Sequence, residues 1–169
     1  NTSQAGVAFS PDYGKRGNDM KAEIICVGTE LLLGDIVNTN AAFLARELAM
    51  LGIDIYHQSV VGDNAERLKE NLALSLSRAD LVITTGGLGP TYDDLTKQAV
   101  ADYIGLGMEM HEPSVKKIES LYTTQGRPMT PNNLLQARVP AGSTVFFNDE
   151  GFAPGIAVEQ RGKIVIMLP

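Results

Sequence analysis

The stretch Asp80-Leu81-Val82-Ile83-Thr84-Thr85-Gly86-Gly87-Leu88-Gly89-Pro90-Thr91 holds the transition on which the fold turns. A short apolar run passes through two threonines into a cluster of glycines and a proline. A run this short and this apolar, bounded by polar residues, is the pattern of a strand buried on both faces, the kind that parallel sheets contain. Beyond it, Leu95, Ala99, Val100 and Tyr103 recur at helical spacing between residues 94 and 104. The order is strand, glycine loop, helix.

The same order repeats upstream. Residues 22–27 form an apolar run with Ile24, Ile25 and Val27, closed by Gly28. A helical pattern follows over 38–51, with Asn38 or Thr39 as its cap and Gly52 as its stop. Residues 53–61 alternate loosely as a second strand. Asp63 or Asn64 then caps a helix through Ser77, whose Leu68, Leu72 and Leu76 make an apolar seam. Downstream, 114–122 and 132–137 are helix candidates among the breaks at Pro128, Pro131 and Pro140. Residues 144–147, 155–159 and 163–168 are strand candidates, the last two forming a hairpin across Gln160-Arg161-Gly162. These alternations predict an α/β fold: a three-layer αβα sandwich, mostly parallel, with an antiparallel edge.

The chain has 169 residues, 44% hydrophobic and 20% charged, enough for a single well-packed core. Its 20 acidic residues against 14 Lys and Arg give a net charge of −6. That balance argues against broad contact with nucleic acid or an anionic membrane, though not against a small anion pocket. The one cysteine, Cys26, excludes an internal disulfide and a cysteine-only metal site. It suits a reducing, cytoplasmic setting, and its place inside an apolar strand makes it a buried, inert thiol. No apolar run approaches the roughly 20 residues of a spanning helix. Residues 1–19 contain almost no bulky apolar side chain, so the domain is expected over 20–169, with 1–19 a remnant, extension or surface arm. A buried strand is seldom the last element of an α/β domain, so the strand before Pro169 suggests that the domain continues in a longer protein.

Open α/β sheets bind ligands beyond the C-terminal ends of their strands, and three polar clusters fall there. They are Gly28-Thr29-Glu30 with Gly34-Asp35 and Asn38-Thr39-Asn40; Gly62-Asp63-Asn64; and the segment from Thr84 to Thr96. In the third, glycines let backbone N–H groups approach an anion, and the next helix adds its N-terminus. Thr84, Thr85 and Thr91 carry hydroxyls that can donate to phosphate. The alternative is a tight turn in which Asp94 only caps the following helix. The loop lacks the Lys of a P-loop and the spacing of a dinucleotide fingerprint. Asp93 and Asp94 would repel a phosphate unless a cation lay between them, which suits Mg²⁺ or another divalent ion; Glu30, Asp35 and Asp63 are further candidates to add ligands or position water. His57 and His111 read as structural, no hydroxyl–histidine pairing is visible, and Met108 and Met110 read as packing residues. Arg127 and Arg138 either meet a phosphate or lie on the surface. The loop from Phe147 to Gly155 either lines a ring pocket or simply joins two strands.

The segments Val27-Gly28-Thr29-Glu30-Leu31-Leu32-Leu33-Gly34, Asn38-Thr39-Asn40, Val61-Gly62-Asp63-Asn64, Thr84-Thr85-Gly86-Gly87-Leu88-Gly89-Pro90-Thr91-Tyr92-Asp93-Asp94 and Ala153-Pro154-Gly155 carry a resemblance. Over essentially residues 20–169 the chain resembles the molybdenum-cofactor-biosynthesis, molybdopterin-binding-like domain, and more closely the N-terminal domain of the CinA family of competence/damage-inducible proteins. The resemblance implies a pocket for a small phosphorylated nucleotide or pterin, and a homo-oligomer, most simply a dimer. It also implies a divalent cation, Mg²⁺ or a transition-metal ion, and a pyrophosphatase acting on ADP-ribose; binding without turnover is the alternative. Full-length relatives often carry a C-terminal nicotinamide mononucleotide deamidase, and the family usually continues past Leu168-Pro169 with a Gly-Pro-Pro-like turn that helps form the ligand site. Carried onto this chain, the catalytic candidates are Glu30, Asp63 and Asp94, and the metal ligands Asp93 and Asp94. The phosphate binders are Thr85, Gly86, Gly87, Leu88, Gly89 and Thr91, and the pocket residues are Gly28, Thr29, Asn38, Asn40, Pro154 and Gly155.

Overall fold

The computed structural model describes residues 20–91 and 94–169; the arm expected over 1–19 lies outside them. In chain order the elements are β1 (Lys21–Val27), α1 (Thr29–Leu33), α2 (Thr39–Met50), β2 (Asp54–Val61), α3 (Ala65–Arg78), β3 (Leu81–Thr85), α4 (Thr96–Ile104), β4 (Met108–Met110), α5 (Glu112–Gln125), a 3-10 helix (Pro131–Ala137), β5 (Arg138–Pro140), β6 (Thr144–Phe146), β7 (Gly155–Gln160) and β8 (Lys163–Leu168). Six strands form one sheet in the order β2-β1-β3-β8-β7-β6. The pairs β1–β2, β1–β3 and β3–β8 are parallel, and β7 runs antiparallel between β8 and β6. The predicted antiparallel margin is therefore one reversed strand with a further strand outside it.

Alternating residues send side chains to opposite faces of the sheet. On one face Ile25, Val27, Val82, Val165 and Met167 pack with Leu68 and Leu72 of α3 and Ala99 and Val100 of α4. On the other, Ala22, Ile24, Cys26, Leu81 and Ile83 pack with Ala41 and Leu48 of α2. These are the three layers. The glycine-loop residue Leu88, 2% exposed, belongs to the first of these cores.

The helices start where short polar side chains take up orphan N–H groups. Asn64, rather than Asp63, caps α3 by accepting from Arg67 N at 3.0 Å. Asn38 caps α2 by accepting from Ala41 N at 3.1 Å. Two features escape the sequence reading. One is the single-turn helix α1, none of whose residues is buried. The other is the small antiparallel pair β4–β5, which puts Met108 and Met110 opposite Pro140 and Arg138.

The seam of α3 gives a direct check. Leu72 is fully buried while Leu74, two residues on, is 53% exposed. Leu72→Ala should cost about 3 kcal/mol through lost transfer energy and the cavity left behind. Leu74→Ala should change stability by less than about 0.5 kcal/mol. Urea denaturation of the two variants distinguishes the buried from the exposed side of the helix.

Candidate functional site

Strands β1, β2 and β3 are parallel neighbours, so their C-terminal exits at Gly28, Gly62 and Gly86 lie at one end of the sheet. The first two polar clusters are tied together there. Thr29 donates to Asp63 Oδ2 from its backbone N–H at 3.0 Å and from its hydroxyl at 2.8 Å, and Asp63 N–H donates back to Thr29 Oγ1 at 3.2 Å. Asp63 is thus a strut between β1 and β2. The first and third clusters meet through Asn40, whose Nδ2 donates to Thr85 Oγ1 at 3.1 Å. Between them lies a cleft of about 130 Å³ whose walls include Val27, Glu30, Asn38, Asn40, Thr85 and Gly86. Cys26 lies beneath it, its thiol donating to Asn38 Oδ1 at 3.5 Å; burial pushes the thiol pKa up, and the bond to Asn38 opposes this.

The glycine loop is fixed by its own backbone. Gly86 has φ +97° and Gly87 φ +68°, and a Cβ on Gly86 would run into the Val27 carbonyl oxygen. Such positive φ values favour glycine. Thr96 holds the turn, donating its hydroxyl to Gly86 O at 2.9 Å and its N–H to Gly87 O at 3.2 Å. The amides of the loop are not equivalent. Gly86 N–H is spent on Leu168 O at 3.0 Å, whereas the N–H groups of Gly87, Leu88 and Gly89 find no acceptor among the described residues. Successive free amides after a positive-φ turn make an anion-binding concavity.

The donors expected to meet a phosphate are therefore not equally available. Gly87, Leu88 and Gly89 have backbone donors to offer, Leu88 through its amide alone because its side chain is in the core. Gly86 shapes the loop but has no free donor. The Thr85 hydroxyl donates to the Pro169 carbonyl at 3.4 Å, and both Thr91 donors go to Asp94. Thr84 is fully buried, its hydroxyl unpartnered among the described residues.

Asp94 is not the cap of the following helix. Helix α4 begins at Thr96 with Leu95 at its N-cap position, and Asp94 Oδ2 instead accepts from Thr91 N–H at 2.8 Å and from the Thr91 hydroxyl. The carboxylate closes the end of the loop and keeps Oδ1 for other partners. Asp93 lies outside the described residues. Among the described residues no three His, Cys, Asp or Glu side chains converge into a metal-holding group.

Pro154 and Gly155 are buried and do not line the cleft; Gly155 pairs with Phe146, and a Cβ on it would press on Leu168. The loop before them is tied to α5 instead. Phe147 lies 6.0 Å from the His111 ring, Tyr122 5.2 Å from Phe152, and Lys117 bonds the Asn148 carbonyl. A hydroxyl–histidine pair does exist, contrary to the sequence reading: His111 Nδ1 and Ser114 Oγ are 2.8 Å apart. Ser114 is 2% exposed at the start of α5, so the pair is a local turn rather than a nucleophile and its base.

One residue of consequence was missed altogether. Lys97 is 5% exposed, and its ammonium donates to Leu135 O at 2.8 Å and to Gln136 O at 3.1 Å. It ties α4 to the 3-10 helix beside Asp94. Burial is the main cause of a pKa lowered to about 8; Asp94 raises it and Arg138 lowers it further. The only trace in the sequence is a lysine one residue after the loop-holding Thr96, on the face that also carries Val100 and Ala101.

A glycine loop closed by a carboxylate thus lies beside a polar cleft at the C-terminal end of the parallel strands of an α/β domain. The family model described as "Probable molybdopterin binding domain" matches residues 23–169. Competence-damage inducible proteins of Clostridioides difficile and Clostridium tetani are 55% and 56% identical over 150 residues, covering 89% of this chain and 36% and 37% of theirs. The solved CinA protein of Thermoplasma acidophilum superposes with a TM-score of 0.80 at 35% identity, covering 90% of this chain and 89% of that one. The molybdopterin biosynthesis enzyme MoaB of Thermus thermophilus, at TM-score 0.55 and 18% identity over 89% and 80% of the two chains, shares the fold. The chain belongs to the molybdopterin-binding-domain family, in its CinA branch. It spans little more than a third of the length of the curated relatives it matches. Among the described residues no helix is long and apolar enough to cross a membrane.

The buried lysine sets a pH dependence. Below about pH 8 Lys97 is protonated in both folded and unfolded chains, and the burial penalty is fully present. Between about pH 8 and the ordinary 10.5 the unfolded chain holds a proton that the folded chain has released, so stability rises with pH. The gain through this window should be on the order of 3 kcal/mol. Lys97→Met should lack it, so the parent's urea stability should rise relative to the variant's from pH 7 to pH 10.

Proposed function

We propose that this domain binds a small phosphorylated nucleotide or pterin at the C-terminal end of its sheet and hydrolyses a diphosphate linkage in it, with ADP-ribose the leading substrate. The observation that carries the reading is the run of amides at Gly87, Leu88 and Gly89 with no acceptor, beside the cleft holding Glu30, Asn38 and Asn40. Those amides hold a phosphate without carrying a net charge, and Asn38 and Asn40 line the space beside it for the rest of the ligand. A divalent cation bound to the phosphates would supply Lewis-acid polarisation and a lowered pKa for an attacking water. Asp94 Oδ1 would share such a cation, because Thr91 already fixes Oδ2. Glu30, on the cleft wall, orients the water. Water adds across one phosphorus–oxygen bond of the linkage, and the products are AMP and ribose 5-phosphate.

Binding without turnover is the second reading. It is favoured by the commitment of Asp63 to Thr29, which removes one expected water-orienting acid from the reaction. Incubation with ADP-ribose, with and without Mg²⁺ or Mn²⁺, separates the two by the appearance of AMP. Asp94→Asn sharpens the test. An amide oxygen still accepts from Thr91, so the melting temperature should hold, while the charge that attracts a cation is gone. Cation-dependent turnover should fall by about a hundredfold. Parent-level turnover in the variant would remove Asp94 from the mechanism, and no AMP from the parent would leave the binding reading.

A further inference from the structure

A second concavity opens at the other end of the glycine loop. It has a volume of about 140 Å³ and is walled by Gly89, Thr91, Asp94 and Lys97 on one side and by Leu135 and Arg138 on the other. A water molecule occupies about 30 Å³, so the space suits a small hydrated ion rather than a nucleoside. Three donors on its walls are unspent. The ammonium of Lys97 has three N–H groups, and the carbonyls of Leu135 and Gln136 take two. The exposed guanidinium of Arg138 makes no hydrogen bond or ion pair among the described residues, and the Gly89 amide has no acceptor there. The one carboxylate on the wall, Asp94, already receives two hydrogen bonds from Thr91.

Two cations against one carboxylate thus meet at a small concavity in a chain whose net charge is −6. A buried ammonium is costly unless its hydrogen bonding is completed, and a tetrahedral oxyanion completes it. Arginine's planar fork matches the edge of the same ion. We propose that this pocket is a subsite for a phosphoryl group, held by Lys97 Nζ and the Arg138 guanidinium. It goes beyond the nucleotide reading of the cleft and does not depend on it, because inorganic phosphate alone is a sufficient ligand.

The test titrates inorganic phosphate into the full chain and follows backbone amide chemical shifts, with chloride at matched ionic strength as the control. Saturable shifts at Gln98, Leu135 and Arg138, with Gly87, Gly28 and Asn40 unmoved, support the subsite. Arg138→Gln, a surface substitution that should leave the melting temperature unchanged, should weaken phosphate about tenfold. Lys97→Met, admitted only if its melt shows a folded chain, should weaken it as well. Shifts confined to the cleft, an equal response to chloride, or parent affinity in Arg138→Gln overturns the proposal. Asn40→Ala keeps the two readings apart. Phosphate shifts at Leu135 and Arg138 together with ADP-ribose binding indifferent to Asn40→Ala support the subsite and sink the nucleotide cleft. ADP-ribose binding lost in Asn40→Ala, with no phosphate response at Leu135 or Arg138, does the reverse.

Discussion

The parallel pairing of β3 with β8 is the constraint on which the rest of the structure depends. Leu81 to Thr85 pair with Ile164 to Leu168, so the last strand in the chain lies near the centre of the sheet. The core on either face is completed only when that strand returns. Such long-range parallel pairing must meet its loop-closure entropy before its contacts repay it. The ladder also ends in a particular way. Its last bond, Gly86 N–H to Leu168 O, marks where β3 stops and leaves the next three amides without sheet partners.

Most of the fold was legible because its signals are local. Short apolar runs gave β1 and β3, and a four-residue repeat gave α3. Elements with weak local signals were lost. Helix α1 is a single turn with no buried side chain, and β4 and β5 are three residues each. At the site, glycine spacing revealed the loop, but the commitment of each amide depends on a strand far along the chain. The same holds for Asp94. A carboxylate just before a helical pattern reads as a cap, and only the start of α4 at Thr96 shows that it faces back to Thr91. Lys97 has carbonyl partners in a 3-10 helix that no periodicity announces.

The acids near the cleft do more structural work than their residue types suggest. Asp63 binds the exits of β1 and β2 together through Thr29, and Asp94 closes the glycine loop through Thr91. Each uses one oxygen for architecture. Negative charge is thereby held close to the glycine loop, with the second oxygen of each carboxylate outside these bonds.

Cys26 gives the layered architecture a built-in clock. It is the chain's one thiol, fully buried in the core under α2, and its hydrogen donates to Asn38, the residue that also caps that helix. A thiol reagent must wait for the layer above to lift, and the lifting breaks the cap at the same moment. The rate of modification therefore counts openings of one face of the sheet, including those too local to appear in a global melt.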